Sequence, residues 1–365
     1  MTQPTQHDIE AAVGALVDPF NGADLAATKA VQSVQVGEGR ARVALTLGYP
    51  SDGLAQQLGA TVHELLAQRF GIANVEVAID HRVEAHAVQQ GAQAIDGVSN
   101  VIAVASGKGG VGKSTVAVNL ALALAAEGAR TGILDADVYG PSQPTMLGSS
   151  EKPRLVEGDE RRIRPIVSHG VQCMSVGFLV DADNPMIWRG PMATQALEQL
   201  ARDTAWDALD YLIVDLPPGT GDIQLTLAQR IPVSCALIVT TPQDIALLDA
   251  VKGLKMFEKV RVPVFGVIEN MATHVCSQCG HEEAIFGSGG GERMAREHGL
   301  DLLGRLPLAM DIRAQTDAGR PTVVAEPDGA VAHTFRDIGV RTAARLALRG
   351  RDYARKFPKI SIVNE

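Results

Sequence analysis

The sequence has no long hydrophobic run. No apolar stretch approaches the ~20 residues that a membrane-spanning helix requires, although 46% of the 365 residues are hydrophobic. The first eight residues lack the basic and apolar regions of a secretory signal peptide. We therefore expect a cytoplasmic protein that has ample apolar residues for a core and no membrane partner.

Positive charge is not in excess. The formal net charge is −9 at pH 7, and the acidic residues are scattered along the chain. A protein that contacts many nucleic-acid phosphates usually has a basic surface. We therefore expect no nucleic-acid partner.

Cysteine is scarce, at 4 residues in 365. So few thiols exclude a disulfide framework. Cys173 and Cys235 each lie inside an apolar run that predicts a buried strand, and we interpret both as core residues. Cys276 and Cys279 lie three residues apart, so this pair needs a separate explanation.

The length favours one large unit and a smaller one. We predict a small α+β domain over residues 1–83, a linker over 84–99, a large domain over 100–350 and a tail over 351–365. The linker is rich in Ala, Gln and Gly without periodicity. In the small domain the patterns predict helices and strands in this order: a helix at 7–16, strands at 30–36 and 40–47, a helix at 53–70 and a strand at 75–79.

Apolar strand-like runs alternate with helical ones in the large domain. This order predicts an α/β fold in which a parallel sheet has helices on both faces. Strands are expected at 102–105, 131–134, 172–176, 211–214, 235–240, 264–268 and 302–306. Helices are expected at 116–127, 194–203, 222–230, 245–259, 292–298, 311–318 and 330–349.

The first of these strands ends in a glycine-rich loop that precedes a helix. The loop and first helical turn read Gly107, Lys108, Gly109, Gly110, Val111, Gly112, Lys113, Ser114 and Thr115. Backbone N–H groups of such a loop bind phosphate oxygens, and the helix N-terminus adds its positive dipole. We therefore predict an ATP site in which Lys113 reaches the β and γ phosphates and Ser114 binds Mg²⁺.

Carboxylates follow two other predicted strands. Asp135 and Asp137 come after the strand at 131–134, and Asp215 ends the strand at 211–214. Ligands bind at the carboxyl ends of parallel strands. Asp215 therefore fits the Walker B position, where a carboxylate holds Mg²⁺ through a water. Asp135 and Asp137 also fit a second interpretation, in which they cap a turn.

The Cys276-Ser-Gln-Cys279 pair is followed by Gly280 and His281. Two thiolates at this spacing form one corner of a tetrahedral metal site. No second pair of this spacing occurs in the sequence. Two copies of this pair would supply four thiolates, which suit either zinc or an iron-sulfur cluster. Within one chain, the alternatives are a zinc site that includes His274 or His281, and a redox dithiol.

Several motifs together resemble a known family. The extra loop lysine, Lys108, resembles that of the deviant Walker A (MinD-like) P-loop NTPases. The segments around Asp135, Pro217 and the cysteine pair resemble the Mrp/NBP35 (ApbC-type) iron-sulfur cluster carriers. Residues 1–83 loosely resemble the MIP18-like (DUF59) domain through the motifs Leu-Val-Asp-Pro and Val-Ala-Leu-Thr-Leu.

The resemblance implies further roles for individual residues. It implies a homodimer in which Lys108 reaches the partner's phosphates and Cys276 and Cys279 share a [4Fe-4S] cluster with their copies. It also implies that Asp137 orients the attacking water and that Asn270 contacts the adenine. Lys108 as a solvated lysine and Asn270 as a turn residue are the alternatives. For Arg189 the sequence supports either a phosphate contact or a structural pair.

The function that the resemblance implies is slow ATP hydrolysis coupled to carriage of an iron-sulfur cluster. The cofactors would be ATP, Mg²⁺ and the shared cluster, and the recipients would be apo iron-sulfur proteins. Two alternatives remain: a MinD- or ParA-like positioning ATPase, and an ATPase scaffold that holds a structural zinc.

Overall fold

The computed structural model describes residues 5–37, 39–89, 92–179, 190–276 and 278–350. Its N-terminal unit contains the predicted α+β elements, which are α1 (Gln6–Gly14), β1 (Val31–Gly37), β2 (Arg40–Leu47), α2 (Asp52–Phe70) and β3 (Asn74–His81). β2 pairs antiparallel with β1 and parallel with β3. Tyr49 is buried there, and its hydroxyl donates to Asp18 Oδ2 at 2.7 Å.

The second unit is built on an eight-stranded sheet. Its strands in chain order are β4 (Val98–Ala105), β5 (Thr131–Asp135), β8 (Ile166–Ser168), β9 (Val171–Ser175), β10 (Leu209–Asp215), β11 (Cys235–Thr240), β12 (Val264–Glu269) and β15 (Asp301–Arg305). The spatial order is β15-β12-β11-β4-β10-β5-β9-β8. Every neighbouring pair is parallel except β8 with β9. The predicted parallel sheet is confirmed.

Helices cover both faces of this sheet. The helices are α3 (Lys113–Ala126), α4 (Gln143–Met146), α5 (Gly190–Asp203), α6 (Asp222–Arg230), α7 (Asp244–Lys259), α8 (Gly290–Glu297), α9 (Met310–Asp317), α10 (Thr322–Ala325) and α11 (Ala330–Ala347). Among them, none combines the length and the apolar content that a membrane crossing requires.

The strands are apolar throughout because both of their faces are buried. In β4, Ile102 and Val104 join the core cluster under α3 and α11. The alternate residues Val101 and Ala103 join the cluster under α5 and α6. Side chains alternate across a strand, so a sheet covered on both faces gives continuous apolar runs rather than a polar alternation.

The sequence patterns missed the segment between β5 and β9. A two-stranded hairpin forms there from β6 (Arg154–Val156) and β7 (Asp159–Arg164), and β8 pairs antiparallel at the sheet edge. The β6–β7 hairpin is mostly exposed and charged, so it has no apolar period to detect. Helix α3 also begins at Lys113, three residues before the predicted start at 116, because the glycine loop leads directly into it.

The two units contact each other through α3, α11 and the segment between β3 and β4. That segment is irregular but packed: His86 and Ile95 are both buried. Glu127, which follows α3, is buried at the junction. Its carboxylate accepts from Arg336 Nε at 2.6 Å and from the backbone N–H of Gly53 at 2.7 Å. The helix that starts at the glycine loop therefore ends against the N-terminal unit.

We predict that Glu127→Ala lowers the free energy of unfolding by about 2–3 kcal/mol, because it leaves the Arg336 charge and the Gly53 N–H without their shared acceptor. Urea unfolding measures the change. Glu258→Ala is the control, since its ion pair with Lys255 is exposed and should contribute less than about 0.5 kcal/mol. Equal losses for the two variants would contradict a structural role for Glu127.

Candidate nucleotide and metal site

The glycine-rich loop connects β4 to α3 at the carboxyl edge of the sheet. Gly112 has φ +83°, and a Cβ on it would lie 2.2 Å from Asn270 Nδ2, so only glycine fits there. Asn270 follows β12, and its Nδ2 donates to the carbonyl of Val111 at 2.8 Å. Asn270 therefore holds the backbone of the loop in place.

Lys113 is the first residue of α3, and its side chain is 5% exposed. Its ammonium contacts the carboxylate of Asp215 and lies 3.2 Å from Ser114 Oγ. Asp215 ends β10, which lies between β4 and β5 in the sheet. The parallel register thus brings the Lys113 ammonium and the Ser114 hydroxyl to a carboxylate that lies 102 residues beyond Lys113 in the chain.

Asp135 ends β5 and Asp137 follows two residues later; both lie near Asp215 but have different environments. Asp135 is fully buried, and it accepts from the N–H groups of residues 137, 142 and 143 and from Ser175 Oγ, at 3.0–3.1 Å. Burial and the charge of Asp215 raise its pKa to about 7. Burial also raises the pKa of Asp137, and Lys113 opposes that shift. Asp135 therefore shapes the turn, whereas Asp137 is influenced by the charge of Lys113.

The loop after β10 is hydrogen-bonded to the glycine-rich loop. The N–H of Gly219 donates to the carbonyl of Ser106 at 2.9 Å, and Ser106 Oγ donates to the carbonyl of Lys108 at 2.9 Å. Lys108 itself is half-buried. If either loop moves, it must therefore break the hydrogen bond between Gly219 and Ser106 or move the other loop with it.

The cysteine pair lies on a separate hairpin, formed by β13 (His274–Val275) and β14 (Glu282–Glu283). The N–H of Cys276 donates to His281 O at 2.9 Å, and the N–H of Gly280 donates to Cys276 O at 2.8 Å. Gly280 has φ +71°, a conformation that favours glycine in this turn. Backbone N–H groups of Gln278 and Cys279 lower the pKa of Cys276.

Both thiols of the hairpin are accessible, since Cys276 is half-buried and Cys279 is exposed. His274 Nδ1 lies 3.2 Å from the carbonyl of Leu308, so this ring nitrogen already has a partner. Within the part of the chain that the structure describes, no three His, Cys, Asp or Glu side chains are grouped to hold a metal ion. One chain thus offers two thiolates and no third ligand in the described ranges.

The other sequence predictions have mixed outcomes. Cys173 and Cys235 are fully buried in β9 and β11, so their assignment to the core is confirmed. Arg189 and the tail over 351–365 lie outside the described residues. Gln143 was not singled out in the sequence, yet its side chain donates to Asp215 Oδ2 at 2.8 Å. A polar residue after the Gly-Pro turn was its only signal.

Two family profiles match the chain. The profile described as NUBPL iron-transfer P-loop NTPase matches residues 97–343, and the profile described as iron-sulfur cluster assembly protein matches residues 6–79. The iron-sulfur cluster carrier protein of Haemophilus influenzae is 47% identical over 96% of this chain and 94% of its own length.

Solved structures show the same P-loop fold. A nucleotide-binding protein from Archaeoglobus fulgidus, in complex with ADP, is 35% identical over 64% of this chain and 90% of that chain, with a TM-score of 0.55. The cell division ATPase MinD of Pyrococcus furiosus is 22% identical over 67% of this chain and 98% of that chain, with a TM-score of 0.52, and shares the fold. By sequence and by fold, this chain belongs to the iron-sulfur cluster carrier family of P-loop NTPases.

Proposed function

We propose that this protein is a cytoplasmic homodimer that binds ATP, hydrolyses it slowly, and carries an iron-sulfur cluster to apo iron-sulfur proteins. The observation that carries the proposal is the hairpin with two accessible thiols and no third ligand in the described residues. A second copy related by twofold symmetry supplies the same two thiols, which completes a four-thiolate site.

The residues at the glycine-rich loop fit a magnesium nucleotide. Gly107 to Gly112 offer backbone N–H groups, and Lys113 offers a cation that can leave Asp215 for the phosphates. Ser114 and Asp215 would hold Mg²⁺, and the ion would neutralise negative charge on the β and γ phosphates. Asn270 Oδ1 and its second N–H would be available to the adenine, because the contact with Val111 uses one N–H.

Asp137 is the residue that we assign to the attacking water. Its raised pKa makes the carboxylate a better proton acceptor than an ordinary aspartate at the same pH. Asp135 keeps the turn that presents Asp137, since it binds three of the backbone N–H groups in that turn. Lys108 extends the site towards the partner in the proposed dimer.

The cysteine turn is suited to hold thiolate sulfurs. The N–H groups that lower the pKa of Cys276 favour its charged form, which is the form that binds iron. The nucleotide site and this turn are joined along the chain by the segment that runs from Asn270 to Cys276. We infer that nucleotide-driven dimerisation and cluster binding are coupled through this segment.

Replacement of both Cys276 and Cys279 by serine should abolish iron loading and leave ATP affinity within about threefold. Iron and sulfide are quantified after anaerobic reconstitution, together with the absorption spectrum. Cys235→Ala is the control, because this thiol is buried in β11 and should not contribute a ligand.

Two results would contradict the cluster assignment. The double serine variant could retain as much iron as the wild type, which would place the cluster elsewhere. The wild type could instead hold zinc and no iron, which would favour the zinc-scaffold alternative.

Alanine variants of Lys113 and Lys108 should separate ATP binding from dimer assembly. Lys113→Ala should weaken ATP binding at least about tenfold, because it removes the cation inside the chain's own site. Lys108→Ala should keep ATP affinity within about threefold but abolish ATP-dependent dimerisation and hydrolysis, because its partner phosphates belong to the second copy. Light scattering measures dimerisation, and phosphate release measures hydrolysis.

Lys252→Ala is the matched control, since Lys252 forms an exposed ion pair with Asp249 on α7. This variant should leave ATP binding, the mass of the ATP-bound particle and ATP hydrolysis unchanged. A Lys108→Ala protein that still dimerises with ATP and hydrolyses it at the wild-type rate would refute the proposed role of Lys108.

A further inference from the structure

Gln143 is a neutral side chain buried among charged ones. It begins α4 and is fully buried. Its backbone N–H donates to Asp135 Oδ2 at 3.1 Å. Its side-chain Nε2 donates to Asp215 Oδ2 at 2.8 Å and to the carbonyl of Ser114 at 3.1 Å. One residue thereby joins the turn after β5, the end of β10 and the first turn of α3.

The other amide atom, Gln143 Oε1, is buried and has no hydrogen-bond partner in the described ranges. The neighbouring Ser142 Oγ is likewise buried and unpartnered there. Buried polar atoms without partners are costly and uncommon, so such an atom in a binding site points to a ligand or water that supplies the missing donor.

The two oxygens of Asp215 have different partners. Lys113 contacts Oδ1, and Gln143 contacts Oδ2. If Lys113 moves to the phosphates of a bound nucleotide, Oδ1 becomes available, while Gln143 still fixes the orientation of the carboxylate through Oδ2. An amide can do this without adding another negative charge beside Asp135, Asp137 and Asp215.

We propose that Gln143 is a positioning residue for the magnesium ion of the nucleotide site. Its Nε2 orients Asp215 and ties it to the Ser114 backbone, and its Oε1 accepts a hydrogen bond from a water bound to Mg²⁺. The inference rests on the proposed function, because it requires that Asp215 faces a nucleotide-bound Mg²⁺.

The test compares nucleotide affinity with and without Mg²⁺. Gln143→Met keeps the length and most of the volume of the side chain but removes both hydrogen-bonding groups. We expect its affinity for ADP in EDTA to stay within about threefold of the wild type and the gain in affinity on adding Mg²⁺ to fall at least about tenfold. Mn²⁺ binding, followed by electron paramagnetic resonance in the presence of ADP, should weaken in parallel.

Gln172→Met is the matched control, because the Gln172 amide donates to the carbonyl of Asp207 at an exposed site. Its affinity in EDTA and its gain with Mg²⁺ should both equal the wild-type values. Gln143→Asn serves as a second variant if the methionine variant does not fold. Asparagine is one methylene shorter, so it should lose the contact with Asp215 and show the same reduced gain.

Two outcomes would overturn the inference on its own. In one, the wild type gains affinity with Mg²⁺ and the folded Gln143 variants gain as much. In the other, the variants lose affinity equally in EDTA and in Mg²⁺ and melt at lower temperature, which indicates a purely structural role. A wild type that gains nothing from Mg²⁺ would instead refute the magnesium site in the proposed function.

Discussion

The buried contact between Lys113 and Asp215 is the interaction on which the nucleotide half of this protein depends. Both side chains are almost inaccessible to solvent, and a buried charge is tolerated only when it is paired and hydrogen-bonded. The pair forms because parallel strands deliver their carboxyl ends to one edge of the sheet. Asp135, Gln143 and Asn270 then satisfy the surrounding backbone groups, so the loop and both acidic turns are held in one arrangement.

The cysteine hairpin, unlike the Lys113–Asp215 pair, is accessible to solvent. It lies outside the sheet, its thiols are accessible, and its shape is set by backbone hydrogen bonds rather than by packing. Such a turn presents sulfur ligands without enclosing a metal, which fits the cluster carriage that we propose. The chain passes from Asn270, at the glycine-rich loop, to Cys276 within a few residues. This short path is the physical basis for our inference that the nucleotide affects the cluster site.

The sheet and the glycine-rich loop could be predicted because their signals are local. Apolar runs such as that of β4 end directly at the loop, and the parallel order fixes where ligands bind. Contacts between distant segments could not be predicted in this way. The role of Gln143 depends on a partner 72 residues away, and Glu127 depends on Arg336, 209 residues away. The β6–β7 hairpin was not predicted, because an exposed, charged hairpin has no periodic pattern of apolar residues. The roles that we propose for Lys108 and Cys276 involve a second copy, so a single chain gives their positions but not their partners.

We propose above that two chains together hold one iron-sulfur cluster. Native mass spectrometry of the anaerobically reconstituted wild-type protein is the decisive experiment, since it counts chains and metal atoms in the same particle. We expect a species of two chains with about four iron and four sulfide atoms, and loss of the cluster on iron chelation. A cluster or a metal ion bound with full occupancy to a single chain, with no cluster-bearing dimer, would contradict it.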